Sequence, residues 1–550
     1  MFFETTLTTD RIDAMRAAGH WTDEHMFDRF RARGAERGTD PMIIDAYGTV
    51  TWAEAMSAVD RLSRGVLELG IRPGDVVQLQ LPNRREFPLA VLALERIGVV
   101  VNPVAPIFRT KEVSVMSELA RPRAVITVDA FRGYGLAAMH GQLREAYDWI
   151  EHLIVVPPDP TFVKAEGSDR SGPADTMSWA EVLALGARSD LTDRSLDLCR
   201  PSPNDVCEVM FTSGTTGQPK GVMHTQNTIN VATDLWLARI APDCSRFHMA
   251  STLAHQTGYL YGVRAPIAAG GAVVYQEVWD PVEFARLIEE HRIEASMGAT
   301  PFLADLLAVE ALAQRDLSSF KAFVCAGAAI PLPVLERARD ELPCTVMPGW
   351  GMTETGLSTT GRRDDPFEKL ATDGAAVAGN EVQIVDPEGC PVPAGTEGDL
   401  QFRGSEAFVG YIQGRALSES CWRDGWFDTG DRAVMDADGY ISISGRTKDI
   451  IIRGGENVPV KEVEDVLLRH PSVAGVAVIA KPHDRLGEIG CAVVIANEEH
   501  PTLDELTGFL DSQGVTRQFW PEDLAFVEEF PMTPSGKIQK YRLRQLVLGV

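Results

Sequence analysis

The sequence predicts an α/β protein with a large N-terminal domain, residues 1–447, and a small, mobile α+β domain, residues 448–550. The N-terminal domain is expected to contain two parallel-sheet α/β subdomains and a small β-barrel-like subdomain. Strand and helix patterns alternate in two long stretches, which is typical of parallel sheets covered by helices. After Gly374 the pattern changes to short strands between glycine and proline turns. The 550 residues also exceed the roughly 250–300 at which a single core stops growing.

Composition and charge exclude several classes of protein. The chain is 45% hydrophobic and carries 78 acidic against 52 basic residues, a net charge of −26. This balance argues against nucleic acid or an anionic membrane as the main partner. No apolar run reaches about 18 residues and no secretory signal is recognisable, so no membrane span is expected. The eight cysteines form no C-x-x-C pair, so a cytoplasmic protein with reduced thiols is predicted.

The first α/β subdomain is predicted between Met42 and Val156. Its short apolar segments are typical of buried strands, and one apolar segment of helical length separates two of them. The strands are expected at Val76–Pro82, Val99–Val104, Ala124–Asp129 and His152–Pro158, and the helix at Glu86–Ile97. Between Pro157 and Thr176, Pro, Gly, Ser and Asp accumulate, which predicts a surface loop.

The second α/β subdomain is predicted from Val209 to about Thr360. A strand at Val273–Gln276, a helix at Pro281–His291 and a strand at Ala322–Gly327 carry its pattern. The glycine- and proline-punctuated strands that follow predict a small antiparallel barrel or sheet.

The C-terminal domain is predicted to begin near Gly445–Lys448. Its first helix, Val460–Arg469, has apolar residues spaced as on one face of a helix. Two apolar strands follow, and then a second helix at Leu503–Leu510. These elements are sufficient for a compact α+β unit.

The most informative segment is VMFTSGTTGQPKGVMHT, Val209–Thr225, in which a strand runs into a loop of glycines and hydroxyl residues. Glycines let backbone N–H groups converge on an anion, and a lysine adds positive charge. Pro219 and Gly221 flank that lysine, which excludes the G-x-x-x-x-G-K-[ST] phosphate loop. The segment predicts a triphosphate cradle, with a surface turn as the alternative. The cradle residues are Thr212, Ser213, Gly214, Thr215, Thr216, Gly217 and Lys220.

This loop resembles the signature of the adenylate-forming superfamily, which comprises acyl-CoA synthetases, luciferase-like enzymes and the adenylation domains of peptide synthetases. Four further segments resemble the motifs of that family in the same order, so the resemblance covers nearly the whole chain. They are GWGMTETG (Gly349–Gly356), DTGD (Asp428–Asp431), GRTKDIIIRGGENV (Gly445–Val458) and PSGKIQK (Pro534–Lys540). The stretches HQTGYLYG and QFWPEDL are similar to segments of cyclohexanecarboxylate–CoA ligases and related medium-chain or aryl acid ligases.

The resemblance implies roles in nucleotide binding. Trp350 is expected to stack on adenine, Thr353 to contact the α-phosphate, and Glu354 to hold Mg²⁺, which prefers hard oxygen ligands. Asp431 is expected to accept both ribose hydroxyls, and Arg446 to contact the ribose. A packed turn or a surface ion pair would explain any one of these motifs alone. The adenine-binding positions are completed by Gly327, Ala328, Ala329, Gly351 and Met352.

Two lysines and a glycine pair are implied to act during domain rotation. Lys537, in the loop TPSGK, is expected to bridge the attacking carboxylate and the α-phosphate, which positions two anions without transferring a proton. Lys448 occupies the hinge position of the family. Gly454 and Gly455 are expected to enter the site and let the backbone approach a pantetheine arm. A solvated lysine and an ordinary hairpin turn are the alternatives.

The implied activity is that of an AMP-forming acid–thiol ligase that uses ATP, Mg²⁺ and coenzyme A. A carboxylate and ATP would give an acyl adenylate and pyrophosphate, and a thiol would then displace AMP. The expected partners are small molecules, and both a monomer and a homodimer stay open. A carrier-protein ligase, a luciferase-like oxygenase and a nucleotide sensor without catalysis are the rival classes. The sensor is disfavoured because its chemistry-bearing residues are intact: Lys220, Glu354, Asp431, Arg446 and Lys537.

The class of acid is predicted from the residues expected around the acyl pocket. His255 occupies a position that borders the acyl pocket in the family, although a lone histidine is more often structural than catalytic. The pocket candidates include no obvious charged partner for an α-amino group or a second carboxylate. An uncharged hydrophobic acid (alicyclic, aromatic or medium-chain) is therefore predicted, with long-chain fatty acids as the alternative. The candidates are His255, Tyr259, Gly298, Ala299, Gly327 and Met352.

Overall fold

The computed structural model describes most of the chain. The described residues are 3–158, 176–212, 219–327, 330, 332–446, 451–497, 499–531, 538 and 540–549. Most of the surface loop predicted at Pro157–Thr176 lies outside them. Within the described ranges, no helix has the length and apolar character needed to cross a membrane.

Helices and strands make up the chain to residue 188, and the alternation predicted between Met42 and Val156 is present. In chain order they are α1 (Thr9–Ala17), α2 (Met26–Arg37), β1 (Pro41–Asp45), β2 (Gly48–Thr51), α3 (Trp52–Glu68), β3 (Val76–Gln80), α4 (Glu86–Arg96), β4 (Val100–Pro103), α5 (Thr110–Ala120), β5 (Ala124–Val128), β6 (Ala130–Phe131), β7 (Tyr134–Gly135), α6 (Leu136–Ala146), β8 (His152–Val156), β9 (Met177–Ser178) and α7 (Trp179–Arg188).

The second stretch continues the alternation to residue 376. It contains α8 (Asp193–Asp197), β10 (Val206–Thr212), β11 (Lys220–Thr225), α9 (Gln226–Ile240), β12 (Arg246–Met249), a π-helical segment (Gly258–Arg264), α10 (Ala265–Ala269), β13 (Ala272–Val274), α11 (Pro281–His291), β14 (Ala295–Gly298), α12 (Thr300–Leu307), β15 (Ala322–Ala326), α13 (Leu332–Glu341), β16 (Thr345–Met352), β17 (Gly356–Thr360), α14 (Phe367–Leu370) and β18 (Ala375–Ala376).

Short strands dominate the remainder. They and the last helices are β19 (Asn380–Val385), β20 (Glu397–Gly404), β21 (Gly410–Tyr411), α15 (Arg415–Glu419), β22 (Trp422–Arg423), β23 (Trp426–Met435), β24 (Ile441–Arg446), β25 (Ile451–Arg453), β26 (Glu456–Val458), α16 (Val460–Leu467), β27 (Val473–His483), β28 (Gly487–Ala496), α17 (Leu503–Ser512), β29 (Asp523–Phe526) and α18 (Lys540–Leu548).

Local sequence explains where several helices begin. Helix α3 begins at a capping box, in which the Thr51 hydroxyl accepts from the Glu54 N–H and the Glu54 carboxylate accepts from the Thr51 N–H. This pairing satisfies N–H groups that lack helical partners. Helix α4 is buried on every side, which agrees with its almost uninterrupted apolar sequence.

Two large mixed sheets form the body of the N-terminal domain. The first has the order β21-β11-β10-β4-β3-β5-β8-β9, and its strands from β10 to β9 are parallel. The second has the order β18-β17-β16-β15-β14-β12-β13-β1-β2, with β16 to β1 parallel. In the first sheet β11 pairs antiparallel with β10, and in the second sheet β18 pairs antiparallel with β17.

Two strands belong to a different sheet from the one that their place in the sequence predicts, so the predicted subdomain limits are wrong. Strand β10, predicted to open the second subdomain, belongs to the first sheet, where it pairs with β4. Strand β1, predicted in the first, pairs with β13 of the second sheet. The pattern of apolar residues reports that a strand is buried, but pairing depends on contacts between distant segments.

Two smaller sheets complete the fold. The third is antiparallel, in the order β19-β20-β23-β22 with β24 also on β23. The fourth contains β25 to β29 and packs against α16 and α17. The C-terminal domain contacts the N-terminal domain through a Lys111–Glu462 ion pair of 2.8 Å, and Phe519 packs against Phe108.

Candidate active site

A cavity of about 620 Å³ lies where the two large sheets, the antiparallel sheet and the C-terminal domain meet. The first sheet contributes the end of β10 and the start of β11, and the second contributes the carboxyl end of β15 and the turn after β16. Ligands of open parallel sheets bind at such carboxyl ends. The predicted site residues on its wall are Thr212, Lys220, His255, Gly327, Gly351, Met352, Thr353, Glu354 and Gly455.

Glu354 is a buried carboxylate on the cavity wall, 5% exposed. Its Oε1 atom accepts a hydrogen bond of 2.8 Å from the Tyr411 hydroxyl. The ammonium group of Lys220 lies 4.9 Å from the centre of the Tyr411 ring, on which it makes a cation–π contact. Tyr411 therefore joins the predicted metal ligand to the predicted phosphate-binding lysine, and burial together with Glu354 raises the pKa of its hydroxyl.

Thr353 is held by a histidine that the sequence does not mark as functional. The His224 ring lies between the Thr353 carbonyl oxygen, 2.7 Å from Nε2, and the Thr228 hydroxyl, 3.0 Å from Nδ1. Burial lowers the pKa of His224 to about 4. The neutral ring at physiological pH can donate through only one nitrogen, and it donates to the carbonyl, which has no proton to give.

Trp350 and Asp431 form a direct contact. The Trp350 indole N–H donates to the Asp431 carboxylate across 2.9 Å, and both residues are buried. The Trp350 ring packs in a cluster with Ile384, Leu400 and Ile441 and is not on the cavity wall. The structure thus places this tryptophan beside the predicted ribose ligand, whereas its motif implies a ring face against the adenine.

One glutamine holds the described end of the phosphate loop. The Gln413 side chain accepts from the Gly221 N–H across 3.2 Å and donates to the Pro219 carbonyl across 2.6 Å. It follows β21, which pairs with β11. Gln413 therefore fixes the start of β11, and with it Lys220, from the edge of the first sheet.

The part of the cavity around His255 is more polar than the sequence predicts for an acyl pocket. His255, Gln256, Leu260, Tyr261 and Met297 lie on its wall. The Tyr261 hydroxyl accepts from the Leu357 N–H across 3.0 Å.

Two other acyl-pocket candidates are packed away from the cavity. Tyr259 is fully buried, and its hydroxyl donates to Glu95 across 2.9 Å. Gly298 is buried beside Phe302. Both are absent from the cavity wall, which indicates that they belong to the packed core.

A second cavity of about 320 Å³ shares the wall formed by His255, Gly327 and Gly455. It extends between the domains and includes Ala299 and Gly454 among its lining residues. The turn between β25 and β26 presses close to the N-terminal domain here. A Cβ atom on Gly455 would lie 2.8 Å from that of Ala299, so this turn requires glycine on steric grounds as well as for its positive φ of +86°.

Several predicted residues lie outside the described part of the chain. Among them are Lys448 and Lys537, the two lysines of the implied domain motion. The Arg446 backbone pairs with Asp431 between β24 and β23, but its side chain is outside the described set. The others are Ser213, Gly214, Thr215, Thr216, Gly217, Ala328 and Ala329.

The donors around Glu354 fit a magnesium ion held together with phosphate groups. In the described ranges, no group of three or more His, Cys, Asp and Glu residues forms a ready metal cage. Mg²⁺ bound beside a triphosphate needs only one or two carboxylates, because phosphate oxygens and waters supply the other ligands. Glu354 on the cavity wall meets that requirement.

Comparisons with known proteins agree with this geometry. The profile of the AMP-binding enzyme family matches residues 30–412, and that of the AMP-binding enzyme C-terminal domain matches residues 462–537. The medium-chain fatty-acid–CoA ligase of Escherichia coli (strain K12) is 32% identical over 99% of this chain and 94% of its own length. The 2,3-dihydroxybenzoate-AMP ligase of Bacillus subtilis (strain 168) is 30% identical over 97% and 96%.

A solved structure shares the whole architecture. The amide bond synthetase McbA from Marinactinospora thermotolerans superimposes with a TM-score of 0.81 at 25% identity, over 95% of this chain and 99% of that protein. Both large sheets and the C-terminal domain therefore have counterparts in one known fold.

Proposed function

The chain belongs to the AMP-binding enzyme family, and we propose that it is an AMP-forming acyl-CoA synthetase. Its reaction joins a carboxylic acid and ATP into an acyl adenylate and pyrophosphate, and then transfers the acyl group to the thiol of coenzyme A. The meeting of Thr353, Glu354 and Lys220 with the turn at Gly455 in one cavity is the observation that carries this proposal. This arrangement supports the proposal because the predicted triphosphate-binding groups and a backbone turn of the C-terminal domain surround a single space.

The nucleotide is held by groups that complement its charge. Lys220 and the glycine loop receive the phosphates, Thr353 contacts the α-phosphate, and Asp431 accepts from the ribose hydroxyls. Glu354 would hold Mg²⁺, which when bound offsets the repulsion between the carboxylate substrate and the anionic phosphates. Tyr411 keeps the Glu354 carboxylate oriented toward the cavity by donating to one of its oxygens.

Activation of the acid is a displacement at phosphorus. A carboxylate oxygen attacks the α-phosphate, the bond to pyrophosphate breaks, and the products are acyl adenylate and pyrophosphate. A free carboxylate would have to expel an oxide ion, which is a poor leaving group, whereas an acyl adenylate expels AMP, which is a good one. A thiolate can therefore attack the acyl carbon and displace AMP. By resemblance, Lys537 positions the two anions in the first step.

The second cavity supports coenzyme A as the thiol. It opens beside Gly455 and contains Arg132, Arg453 and Arg485 among its lining residues. Two of these arginines are paired, Arg453 with Glu522 and Arg485 with Asp305. A cavity of about 320 Å³ with three arginines in its lining can receive a pantetheine arm and phosphate groups, and three carboxylates, Glu277, Asp305 and Glu456, lie in the same lining.

The acid is proposed to be uncharged and largely apolar, of alicyclic, aromatic or medium-chain type. The similarity to a medium-chain fatty-acid–CoA ligase supports this class. Loading of a carrier protein is the second candidate, because the similar 2,3-dihydroxybenzoate-AMP ligase is named for adenylate formation rather than for CoA. A long-chain acid is the remaining alternative for the substrate.

The test is pyrophosphate release across a panel of acids, each with and without CoA. The panel contains linear acids of short, medium and long chain, cyclohexanecarboxylate, benzoate and aryl-propanoates. We expect one class to release pyrophosphate, and CoA to convert a single burst into steady AMP formation. A burst that CoA never converts into turnover would overturn CoA as the acceptor, and silence with every acid would overturn the proposed substrate class.

A further inference from the structure

The N-terminal segment, residues 3–24, lies against the chain that leads into β21. The Thr6 N–H donates to the Val409 carbonyl across 2.7 Å, and the Trp21 indole N–H donates to the Ser405 carbonyl across 2.9 Å. The whole segment precedes the part of the chain that the AMP-binding enzyme profile matches. Its contacts with the domain are therefore a feature that the family profile does not describe.

Arg11, on α1, adds two hydrogen bonds to this attachment. Its guanidinium donates to the Ala407 carbonyl across 2.5 Å and to the Phe408 carbonyl across 3.2 Å. Both accepting residues are buried, and burial of the guanidinium lowers the pKa of Arg11 to about 10. Helix α1 contains no buried residue, so apolar packing does not explain why a charged group is placed here.

The same stretch of chain holds Glu354 at two points. The Phe408 N–H donates to the Glu354 carbonyl across 2.8 Å, and the Tyr411 hydroxyl donates to the Glu354 carboxylate. Arg11 contacts the carbonyl of Phe408, whose N–H contacts the backbone of Glu354. One residue therefore separates the guanidinium from the predicted metal ligand.

Arg11 is also close to His224 on β11. Burial and, to a smaller extent, the positive charge of Arg11 lower the pKa of His224. His224 in turn contacts the Thr353 carbonyl across 2.7 Å. The carbonyl groups of Thr353 and Glu354, which follow each other in the chain, are therefore both bound by residues that lie beside Arg11.

We propose that Arg11 is a positioning residue for Mg²⁺-bound ATP and acts on Glu354 through Phe408. The inference rests on the proposed function, in which Glu354 would hold the metal. Mg²⁺ demands near-octahedral geometry, so a small displacement of that carboxylate weakens binding. The planar donors of a guanidinium can fix two adjacent carbonyls, which an apolar side chain cannot do. Attachment of α1 without any effect on the site is the alternative.

Direct binding of ATP tests this role. ATP is titrated calorimetrically into the intact protein without an acid, once with Mg²⁺ and once with EDTA. Arg11→Met removes both hydrogen bonds, and it should fold because α1 has no buried residue. We expect it to raise the Kd of ATP with Mg²⁺ about 5- to 10-fold and that of ATP with EDTA less than about 2-fold. Arg11→Lys keeps a donor and should raise the first Kd less than about 3-fold.

Arg29→Met is the matched control. Arg29, on α2, donates to the Asp234 carboxylate on α9 across 2.5 and 2.9 Å, so it ties the start of the chain to the same domain through a different element. The variant should leave both Kd values within about 2-fold of the wild type. The same rise in both methionine variants, or an unchanged Kd in Arg11→Met, would overturn the positioning role.

Pyrophosphate release with the acid panel separates this role from the proposed reaction. Mg²⁺-dependent ATP binding that is weakened in Arg11→Met, without pyrophosphate release for any acid, would overturn the reaction and support the positioning role. Pyrophosphate release by the wild type, with the same Kd of ATP in Arg11→Met, would support the reaction and overturn the positioning role. A wild-type protein that does not bind ATP would overturn both.

Discussion

At the scale of single residues, three predicted residues of the nucleotide site each contact a buried partner from another part of the chain. Tyr411 donates to Glu354, Trp350 donates to Asp431, and His224 lies against the Thr353 carbonyl. Hydrogen bonds to charged groups contribute roughly 1.5–3 kcal/mol each. These hydrogen bonds orient the Glu354 and Asp431 carboxylates, so the nucleotide binding that we propose would lose less entropy.

Replacing Trp350 by phenylalanine should weaken ATP binding specifically. The change removes the indole N–H that holds Asp431, so the carboxylate loses its orientation toward the ribose. We expect the KM for ATP to rise about 5- to 10-fold, with the KM for the acid little changed. Steady-state kinetics with ATP and acid varied in turn would measure both constants.

Trp422→Phe is the matched control for this prediction. Trp422 packs against Phe408 and Phe427 nearby, and its indole N–H makes no hydrogen bond to any described residue. Both substitutions leave a similar space in the packing, but only Trp350→Phe removes a bond to Asp431. An equal rise in the KM for ATP in both variants would show that packing, and not the hydrogen bond, is responsible.

Candidate site residues could be predicted from the sequence, but the residues that contact them could not. Thr353, Glu354 and Asp431 lie within motifs whose spacing is visible along the chain. Tyr411 lies outside these motifs, and His224 lies inside the motif Val209–Thr225, which assigns it no role. Both contacts depend on which distant segments the fold brings together. The pairing of β11 with β21 is what brings the Tyr411 hydroxyl to Glu354.

At the scale of elements, strands and helices were predictable where the apolar pattern was long and regular. The strands β3, β5 and β8 and the helices α4, α11 and α17 lie close to their predicted positions. The exchange of β1 and β10 between sheets was not predictable, because both sheets present the same buried, apolar pattern. Local sequence indicates that a strand is buried, whereas packing between distant segments decides which strand it pairs with.

A carboxyl between elements of the second and third sheets should make stability depend on pH. Asp373 precedes β18, and its carboxylate accepts from the Ile443 N–H on β24. Burial raises its pKa from 3.8 to about 6, and nearby Asp431 also raises it. The folded state therefore binds the proton more tightly than the unfolded state, so this carboxyl costs stability increasingly as the pH rises from about 4 to 6.

Asp373→Asn should remove that cost. The variant should match the wild type near pH 4 and exceed it by about 1–2 kcal/mol in unfolding free energy at pH 7.5, since the half-buried site is partly screened by solvent. Urea denaturation at micromolar protein concentration between pH 4 and 7.5 measures the difference. A difference that is constant with pH would contradict the proposed role of the proton.

Asp436→Asn provides a control of opposite sign. Burial opposes ionisation of Asp436, but hydrogen bonds, including one from Lys369, prevail and lower its pKa. Its contribution to stability is present above the unfolded pKa and lost as the pH falls. The substitution should therefore destabilise the protein more at pH 7.5 than at pH 4.

At the scale of the whole molecule, the C-terminal domain is seated with its glycine turn between the two cavities. Gly455 lines both of them, and Gly454 lies near Pro301 and Leu486. The sequence motif predicts that this turn enters the site for thioester formation, and the position of the turn supports that step. Adenylation, for which the resemblance implies Lys537, then requires another placement of the domain, which is a gating motion.

Gly455→Ala should separate the two half-reactions. The added methyl group would lie 2.8 Å from the Ala299 Cβ atom and would also occupy a backbone conformation with φ of +86°. Docking of the turn should become unfavourable, whereas Glu354, Thr353 and Lys220 on the wall of the first cavity keep their own contacts. We expect thioester formation from a supplied acyl adenylate and CoA to fall about 100-fold, with pyrophosphate release in the absence of CoA retained within a few-fold.

Backbone strain at a positive φ can be distinguished from the steric clash with Ala299, because another glycine has a similar φ but no neighbouring atoms. Gly514, in the same domain, has φ of +74° and no atom within 4 Å of the position that an added methyl group would take, so Gly514→Ala should leave both half-reactions intact. Ala299→Gly removes the opposing methyl group and should restore part of the thioester rate to Gly455→Ala. Failure of that rescue, together with an equal loss of both half-reactions, would mean that the turn at Gly455 supports the fold rather than the second step.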